Sequence, residues 1–176
     1  MPSPLESLCG PGKPLAKEPP DAREFAGLKR SALARLKDAG NPANSLESRF
    51  DLAYNSAHAL CLAALRWHGY RVGNRYIVFQ VLPHTLGLGP EVWRVLAKCH
   101  AIRNLGEYEG DLNVDERLVA DLIEACGKVA ARLGAVSYTH LVVPATWHPE
   151  FGVTVPSQCV EIQFEGADVA MDFSWK

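Results

Sequence analysis

The sequence predicts an all-α fold, an antiparallel bundle of about five helices with a short β-prone C-terminal appendage. Over residues 21–133, apolar side chains recur every three or four positions, which is the period of a helix with one buried face. Residue types that begin and end helices punctuate this stretch at short intervals, so neighbouring helices are expected to be antiparallel. After Leu133 the apolar period changes to two, which is typical of strands.

The first two predicted helices lie between Asp21 and Gly69. Asp21 and Glu24 have the residue types of a capping box, and Gly40 is a common helix stop. The second helix opens in the same way at Asn44-Ser-Leu-Glu47 and is apolar on most sides. A helix of this composition is packed by neighbours all round, so we expect it to be the central helix.

Three further helices complete the predicted bundle. Residues 74–82 could form a strand or a short helix, and apolar residues at intervals of three favour the helix. Gly89-Pro90-Glu91 begins a fourth helix, with proline in the first turn and an acid near the positive end of the helix dipole. That helix is expected to end near Gly110, and Asn113-Val-Asp-Glu116 begins a fifth that ends near Leu133.

Two segments are predicted to lie outside the helical domain. Residues 1–20 contain six of the twelve prolines and no apolar period, which predicts a flexible Pro-rich leader. Residues 134–176 form an acidic β-prone tail, in which Val160, Ile162 and Phe164 alternate with polar residues. Two or three short strands are expected there. Because an isolated hairpin is marginally stable in water, they would need another surface to pack on.

Composition and charge narrow the class of protein. A chain of 176 residues, 48% hydrophobic and 22% charged, suits one globular domain and is unlike a wholly disordered or fibrous protein. The net charge of −2 argues against a broadly basic nucleic-acid binder. However, residues 134–176 carry five acids against Lys176, which is −4, and the first 133 residues carry 17 basic and 15 acidic residues, which is +2. The helical part can therefore still hold a local site for phosphate.

Several kinds of site are not expected. Five cysteines at scattered spacings, three of them in apolar helical patterns, are typical of reduced thiols in a cytoplasmic protein. The sequence has no secretory leader and no run of 18 apolar residues, so no membrane contact is expected. Neither a metal nor a cofactor is expected, because Cys61 with His68 and Cys99 with His100 lack ligand spacing, and no Gly-rich turn has the lysine of a phosphate loop.

Two helical segments resemble the HEPN domain family, small helical-bundle proteins of bacterial toxin–antitoxin and nucleotide-binding systems. The segments are residues 48–58 (SRFDLAYNSAH) in the second helix and residues 98–108 (KCHAIRNLGEY) in the fourth. The family is marked by an arginine, usually followed by a polar residue, with a histidine a little further along the same helix. In this sequence the arginine is Arg103 and the polar residue is Asn104, while Tyr108 stands in the place of the histidine.

The resemblance implies a homodimeric, metal-independent ribonuclease whose catalytic candidates are Arg103, Tyr108 and His100. Cleavage would need a base for the 2′-hydroxyl proton, an acid for the leaving oxygen and a cation for the phosphorane charge. Arg103 suits the cation role, and His100, one turn earlier, could supply the imidazole. Tyrosine, with a reference pKa of about 10, is a poor base. We therefore expect the ribonuclease activity to be weakened or lost.

Four further residues are candidates for binding RNA or nucleotide. Asn104 and Glu107 share the Arg103 face of the fourth helix, and Tyr54 and His58 lie one turn apart on the second. The alternatives are structural. Arg103 and Glu107 could form an exposed ion pair, and Tyr54 and His58 could be core residues.

Two functions from different classes follow from these residues. The first is a HEPN-like toxin–antitoxin-type protein that binds RNA or nucleotide through an Arg-Asn-x3-Tyr motif, with ribonuclease activity as a further hypothesis. The second is a catalytically silent interaction module that pairs with a nucleotidyltransferase or an antitoxin, which the apolar second helix favours. Basic residues on several helices could form a phosphate-facing rim or an ordinary surface: Arg66, Arg71, Arg75, Arg94 and Lys98.

The resemblance ends at the composition break, which leaves two alternatives for residues 134–176. Residues 136–141 (VSYTHL) resemble a conceptual translation of a transposon-end adapter, so the tail could be a foreign or frame-shifted fusion. Otherwise it is a genuine β extension that covers the bundle or recruits a partner.

Overall fold

A computed structural model describes residues 3–109, 112, 114–135, 141–147 and 153–161. It divides into two compact units, residues 1–135 and 136–176. The boundary lies two residues beyond the composition break at Leu133. Each unit is described by itself.

The first unit is mostly helical. Its described residues form seven helices: α1 (Pro4–Ser7), α2 (Ala22–Ala39), α3 (Leu46–Trp67), α4 (Ile77–Gln80), α5 (Leu82–Thr85), α6 (Pro90–Glu109) and α7 (Glu116–Ala135). Two short strands, β1 (Leu15–Lys17) and β2 (Tyr70–Val72), pair antiparallel. Four long helices and three of one turn therefore replace the expected five.

The region predicted as one helix over residues 74–82 forms two short helices instead. The first begins at Ile77, and just before it the Asn74 side-chain Oδ1 accepts hydrogen bonds from the backbone N–H groups of Tyr76 and Ile77, each over 3.1 Å. Pro83 lies in the first turn of α5, where its missing N–H is tolerated. The same proline could not continue an α-helix from α4, because its ring would clash with the preceding turn.

Capping residues define both ends of α2, as the sequence predicts. The Asp21 carboxylate accepts hydrogen bonds from the backbone N–H groups of Arg23 and Glu24, at 2.7 and 2.9 Å, and Gly40 is the C-cap. These bonds satisfy donors that have no partner inside the helix. The predicted boundaries of this helix are confirmed.

The start of α3 differs by one residue from the prediction. Ser45, not Asn44, is the N-cap, and its Oγ accepts a hydrogen bond from the backbone N–H of Ser48. The Asn44 side chain instead donates to the carbonyl oxygen of Asp38 over 2.8 Å. Both residue types cap helices well, so the packing of the α2–α3 connection decided between them.

Helix α3 is the central helix, as its composition predicts. It packs against α2, α4, α5, α6, α7 and β2, and most of its residues from Phe50 to Arg66 are buried. Ser56, fully buried, donates from its Oγ to the carbonyl oxygen of Ala32 on α2 at 2.7 Å. The same Oγ accepts the Cys126 thiol of α7 at 3.3 Å. One hydroxyl therefore joins three helices.

The described part of residues 1–20 is folded and is not the flexible leader that its composition predicts. Ser3 forms a reciprocal capping box with Glu6 at the start of α1, and β1 pairs with β2. Leu5 and Leu15 are buried in an apolar cluster whose other buried members are Leu65, Tyr70, Ile77 and Val81. These two leucines supply the apolar anchors, although prolines dominate the segment's average composition.

Arg66 joins this N-terminal segment to the helices. Its side chain is only 2% exposed, and its Nε donates to a Glu24 carboxylate oxygen at 2.9 Å. Its Nη atoms donate to the carbonyl oxygens of Pro19 at 2.8 Å and of Glu18 at 3.2 Å. A buried cation is stable only with such partners. Arg66 is therefore a structural residue and does not belong to a basic surface.

The second unit contains an antiparallel pair of strands, β3 (Leu141–Trp147) and β4 (Val155–Glu161). Leu141 lies opposite Glu161, and Trp147 lies opposite Val155. Val160, the first apolar residue of the predicted alternating strand, lies in β4. Ile162 and Phe164, the next two, lie outside the described residues. Among the helices of the described ranges, none is both long and apolar enough to cross a membrane.

Replacing Arg66 with alanine should lower the free energy of unfolding by about 3–5 kcal/mol, because the Glu24 carboxylate and two carbonyl groups would lose a buried cation. Arg71→Ala is the matched control. Arg71 contacts Glu18 and Glu24 but is 49% exposed, so its loss should cost less than about 1 kcal/mol. Urea denaturation followed by circular dichroism measures both values. Equal losses in the two variants would contradict the role given to Arg66.

Candidate functional site

Helices α3 and α6 bring a cluster of polar and aromatic side chains together around His100. The Tyr54 hydroxyl lies 2.7 Å from His100 Nδ1. On the other side of the imidazole, Asn104 Nδ2 lies 3.0 Å from His100 Nε2. Both ring nitrogens are therefore held, one by the neighbouring helix and one by the residue four positions later on α6.

These two hydrogen bonds fix the orientation of the imidazole. An amide N–H₂ can only donate, so Nε2 is the ring nitrogen that accepts from Asn104. In the neutral ring, Nδ1 is then the nitrogen that donates to the Tyr54 hydroxyl oxygen. Displacement of the Asn104 amide would free Nε2 as a proton acceptor.

Arg103 packs on the same tyrosine. Its guanidinium carbon lies 5.1 Å from the centre of the Tyr54 ring, within the range of a cation–π contact. Its Nε is 3.8 Å from an Asp51 carboxylate oxygen, a distance too long for a hydrogen bond. Tyr54 is fully buried. It therefore positions His100 through its hydroxyl and Arg103 through its ring, and does not offer a surface to substrate as the sequence suggests.

Two aromatic residues that the sequence did not identify as site residues complete the cluster. The Tyr76 ring lies nearly parallel to the His100 imidazole, at 21° with centroids 5.3 Å apart. Phe79 is fully buried and tilts against both Tyr54 and His100, with centroids 6.0 Å away in each case. Their α4 region packs against α3 and α6, which places both rings at the site.

Asp51 was also missed as a site residue, and Arg75 was named only among basic residues that could form a phosphate-facing rim. Asp51 precedes Tyr54 by three positions and His58 by seven, so the helical period places all three on one face. That spacing could have identified Asp51. Tyr76 carries no comparable signal, because it lies between β2 and α4 and reaches His100 only through tertiary packing.

His58 is the second histidine of the cluster, and burial lowers its pKa to about 4. Electrostatic interactions with Arg75, His100 and Arg103 act in the same direction. Its Nε2 is buried and has no hydrogen-bond partner in the described part of the structure. A cation at this position would be poorly solvated and repelled by its neighbours. His58 is therefore neutral near pH 7 and cannot serve there as a proton donor.

The structure brings together five of the seven residues singled out from the sequence: Tyr54, His58, His100, Arg103 and Asn104. The backbone of Glu107 and Tyr108 continues α6, but their side chains lie outside the described part of the structure. The expected ion pair of Arg103 with Glu107 and the role of Tyr108 therefore stay predictions.

Within the described ranges, neither the buried thiols nor a group of possible metal ligands forms a second functional site. Burial raises the pKa of Cys99 to about 12 and that of Cys126 to about 11, so both thiols are protonated near neutral pH and act as core residues. Among the described residues, no group of three or more His, Cys, Asp or Glu side chains could hold a metal ion.

Comparison with known proteins identified no relative. No family model, no curated protein and no solved structure matches this chain.

The buried His58 should make the protein less stable in mild acid. In the unfolded chain a histidine has a pKa of about 6.5, above the folded value of about 4. The unfolded state therefore binds the proton first, and stability is lost as pH falls from about 6.5 towards 4. Between pH 7 and pH 5, this residue should contribute a loss of about 2 kcal/mol in the free energy of unfolding.

The measurement is urea denaturation of the parent and of His58→Gln at both pH values. The variant should lose about 2 kcal/mol less between pH 7 and pH 5 than the parent does. His84→Gln, at an exposed histidine of α5, is the matched control and should not reproduce this difference. An unchanged pH dependence in His58→Gln would show that His58 is not the titrating group.

Proposed function

We propose that this protein binds RNA or nucleotide phosphate at the cluster of His100, Arg103 and Asn104, as a HEPN-like protein of the toxin–antitoxin type. The observation that carries the proposal is the arrangement around Tyr54. One buried side chain contacts the imidazole of His100 at 2.7 Å and the guanidinium of Arg103 at 5.1 Å from its ring centre. A cation and a proton-accepting ring are thus prepositioned beside each other.

The electrostatics of the cluster favour an anion. Arg103 is always charged, and its planar fork suits phosphate oxygens. Only 18% of the Arg103 side chain is exposed, which lowers the local dielectric and strengthens its attraction for a bound anion.

RNA cleavage is the further hypothesis at this site. Few of the described side chains could provide the base, the acid and the cation that the reaction needs. Arg103 would stabilise the charge that develops on phosphorus, and His100 Nε2, once released by Asn104, would accept the 2′-hydroxyl proton. His58, with its pKa lowered to about 4, cannot supply the acid near neutral pH. The acid would then have to come from beyond the described side chains, where Tyr108 is the candidate. Binding is therefore better supported than cleavage.

A second candidate function is an interaction module, which the exposure of Leu105 favours. Leu105 directly follows Asn104 on α6 and is 56% exposed. This apolar side chain is available for contact with another chain, directly beside the polar residues of the site. The partner is a second copy of this chain, a nucleotidyltransferase or an antitoxin. The proposed location is the cytoplasm, since four cysteines of the described part are free.

The first proposal is tested by RNA binding in EDTA with the parent, Arg103→Ala and Arg94→Ala. Arg94 lies on the same helix and is exposed, so its variant is the matched control. Fluorescence anisotropy with a labelled single-stranded RNA should show binding weakened about tenfold or more in Arg103→Ala, since hydrogen bonds to charged groups contribute about 1.5–3 kcal/mol. Arg94→Ala should bind nearly as the parent does.

The same samples, run on a denaturing gel, test cleavage. Cleavage by the parent that is lost in Arg103→Ala would establish the ribonuclease. Absence of cleavage with retained binding would leave an RNA-binding protein. If the parent neither binds nor cleaves RNA, the first proposal is wrong.

The interaction module is tested by substituting Leu105 with lysine. Association with a second copy or with a neighbouring gene product should weaken about tenfold or more, because a central apolar contact is replaced by a charge. Leu33→Lys on α2, where Leu33 is 41% exposed, is the matched control and should associate as the parent does. Sedimentation equilibrium gives the association constants. A parent that is monomeric and binds no partner would exclude this function.

A further inference from the structure

The geometry points to Arg75 and Tyr76 as a pair that recognises single-stranded RNA: Tyr76 stacks one base, and Arg75 holds a neighbouring phosphate. The inference rests on the proposed function and specifies its substrate as an unpaired nucleotide segment. The phosphate bound at Arg103 would lie next to the nucleotide that this pair holds.

The backbone holds Tyr76 in a fixed position at the edge of the cluster. Asn74 Oδ1 accepts the backbone N–H groups of Tyr76 and Ile77, each over 3.1 Å, and Ile77 is only 8% exposed. A residue anchored in this way loses little conformational entropy when it binds a ligand. The anchoring suits a recognition residue.

The Tyr76 ring is at once packed and accessible. It lies nearly parallel to the His100 imidazole, with centroids 5.3 Å apart, and yet Tyr76 as a whole residue is 37% exposed. An RNA base could therefore stack on the accessible part of the ring while its phosphate approaches His100 and Arg103. Aromatic residues bind unpaired bases in this way with little dependence on sequence, because every base has a π face.

Arg75 supplies a positive charge beside this ring. It is exposed and directly precedes Tyr76 in the chain, which places its charge next to that residue, and the same charge contributes to the lowered pKa of the buried His58. Arg66 and Arg71, in contrast, contact the carboxylates of Glu18 and Glu24. Arg66 and Arg71 therefore stabilise the fold, whereas Arg75 can contact a phosphate of the RNA.

The competing explanation is that Tyr76 only covers His100. Loss of the ring would then disturb His100 and weaken every phosphate ligand equally, whether or not it has bases. A stacking residue behaves differently, because its loss weakens only ligands that carry a base where the ring lies. A comparison of base-containing and abasic RNA separates the two roles.

The experiment measures anisotropy in EDTA with two labelled RNA octamers, one of adenylates and one with abasic residues at its central positions, both checked for integrity on a gel. The variants are Tyr76→Leu, Tyr76→Phe, Arg75→Ala and Arg103→Ala. We expect the parent to prefer the adenylate octamer, and Tyr76→Leu to lose about 5- to 100-fold in affinity for that octamer alone. Tyr76→Phe should retain the preference, because its ring still stacks.

Arg75→Ala should weaken both octamers by the same factor and lower the dependence of log affinity on log salt by about 0.7. If the parent binds both octamers equally, or if Tyr76→Leu weakens both by the same factor, the stacking role is wrong while phosphate binding at Arg103 stands. If the parent binds neither octamer, the proposed function fails and this inference fails with it. A loss in Arg103→Ala on both octamers distinguishes the phosphate site from the base site.

Discussion

The structure depends on one constraint, which is that α3 is surrounded by other elements along most of its length. A buried polar side chain without a partner costs free energy, and three polar residues of this helix find their partners on neighbouring elements. Ser56 finds it in the α2 backbone and the Cys126 thiol, Arg66 finds it in Glu24 and the chain around Pro19, and Tyr54 finds it in His100. These bonds specify which helix faces which side of α3. The hydrogen bond between Tyr54 and His100 in the candidate site is therefore one of those that satisfy buried polar groups of the fold.

The two ends of α3 use their charges differently. Near its C-terminus, Arg66 and Arg71 are matched by the carboxylates of Glu18 and Glu24, so these charges stabilise the fold and are occupied. Towards its N-terminal half, Asp51 lies 3.8 Å from Arg103 Nε, and the charges of Arg75 and Arg103 both act on His58. Because the neutral His58 adds no charge, the positive field there comes from the arginines. A chain with a net charge of −2 can thus present a local site for phosphate.

The sequence predicted helix boundaries best where residues close together in the chain determine them. Asp21 and Gly40 bound α2 as expected, because capping depends on residues that are neighbours along the chain. The prediction was wrong for the N-terminal segment, since Leu5 and Leu15 are buried by residues far along the chain such as Leu65 and Ile77. Composition averages over residues and therefore cannot register two leucines that meet a distant apolar surface.

By itself, the sequence determined the helical period, the central place of α3 and the residue faces that carry Tyr54, His58, His100, Arg103 and Asn104, because these follow from spacing within one helix. Only the tertiary structure decided that those faces meet at Tyr54, that Arg66 is a buried structural cation and that Tyr76 and Phe79 pack against His100. The physical reason is that hydrogen bonds, burial and electrostatic fields act through space. The pKa of His58 shows this directly, since burial and electrostatic interactions with Arg75, His100 and Arg103 lower it to about 4, and the nearest of these residues along the chain is 17 positions away at Arg75.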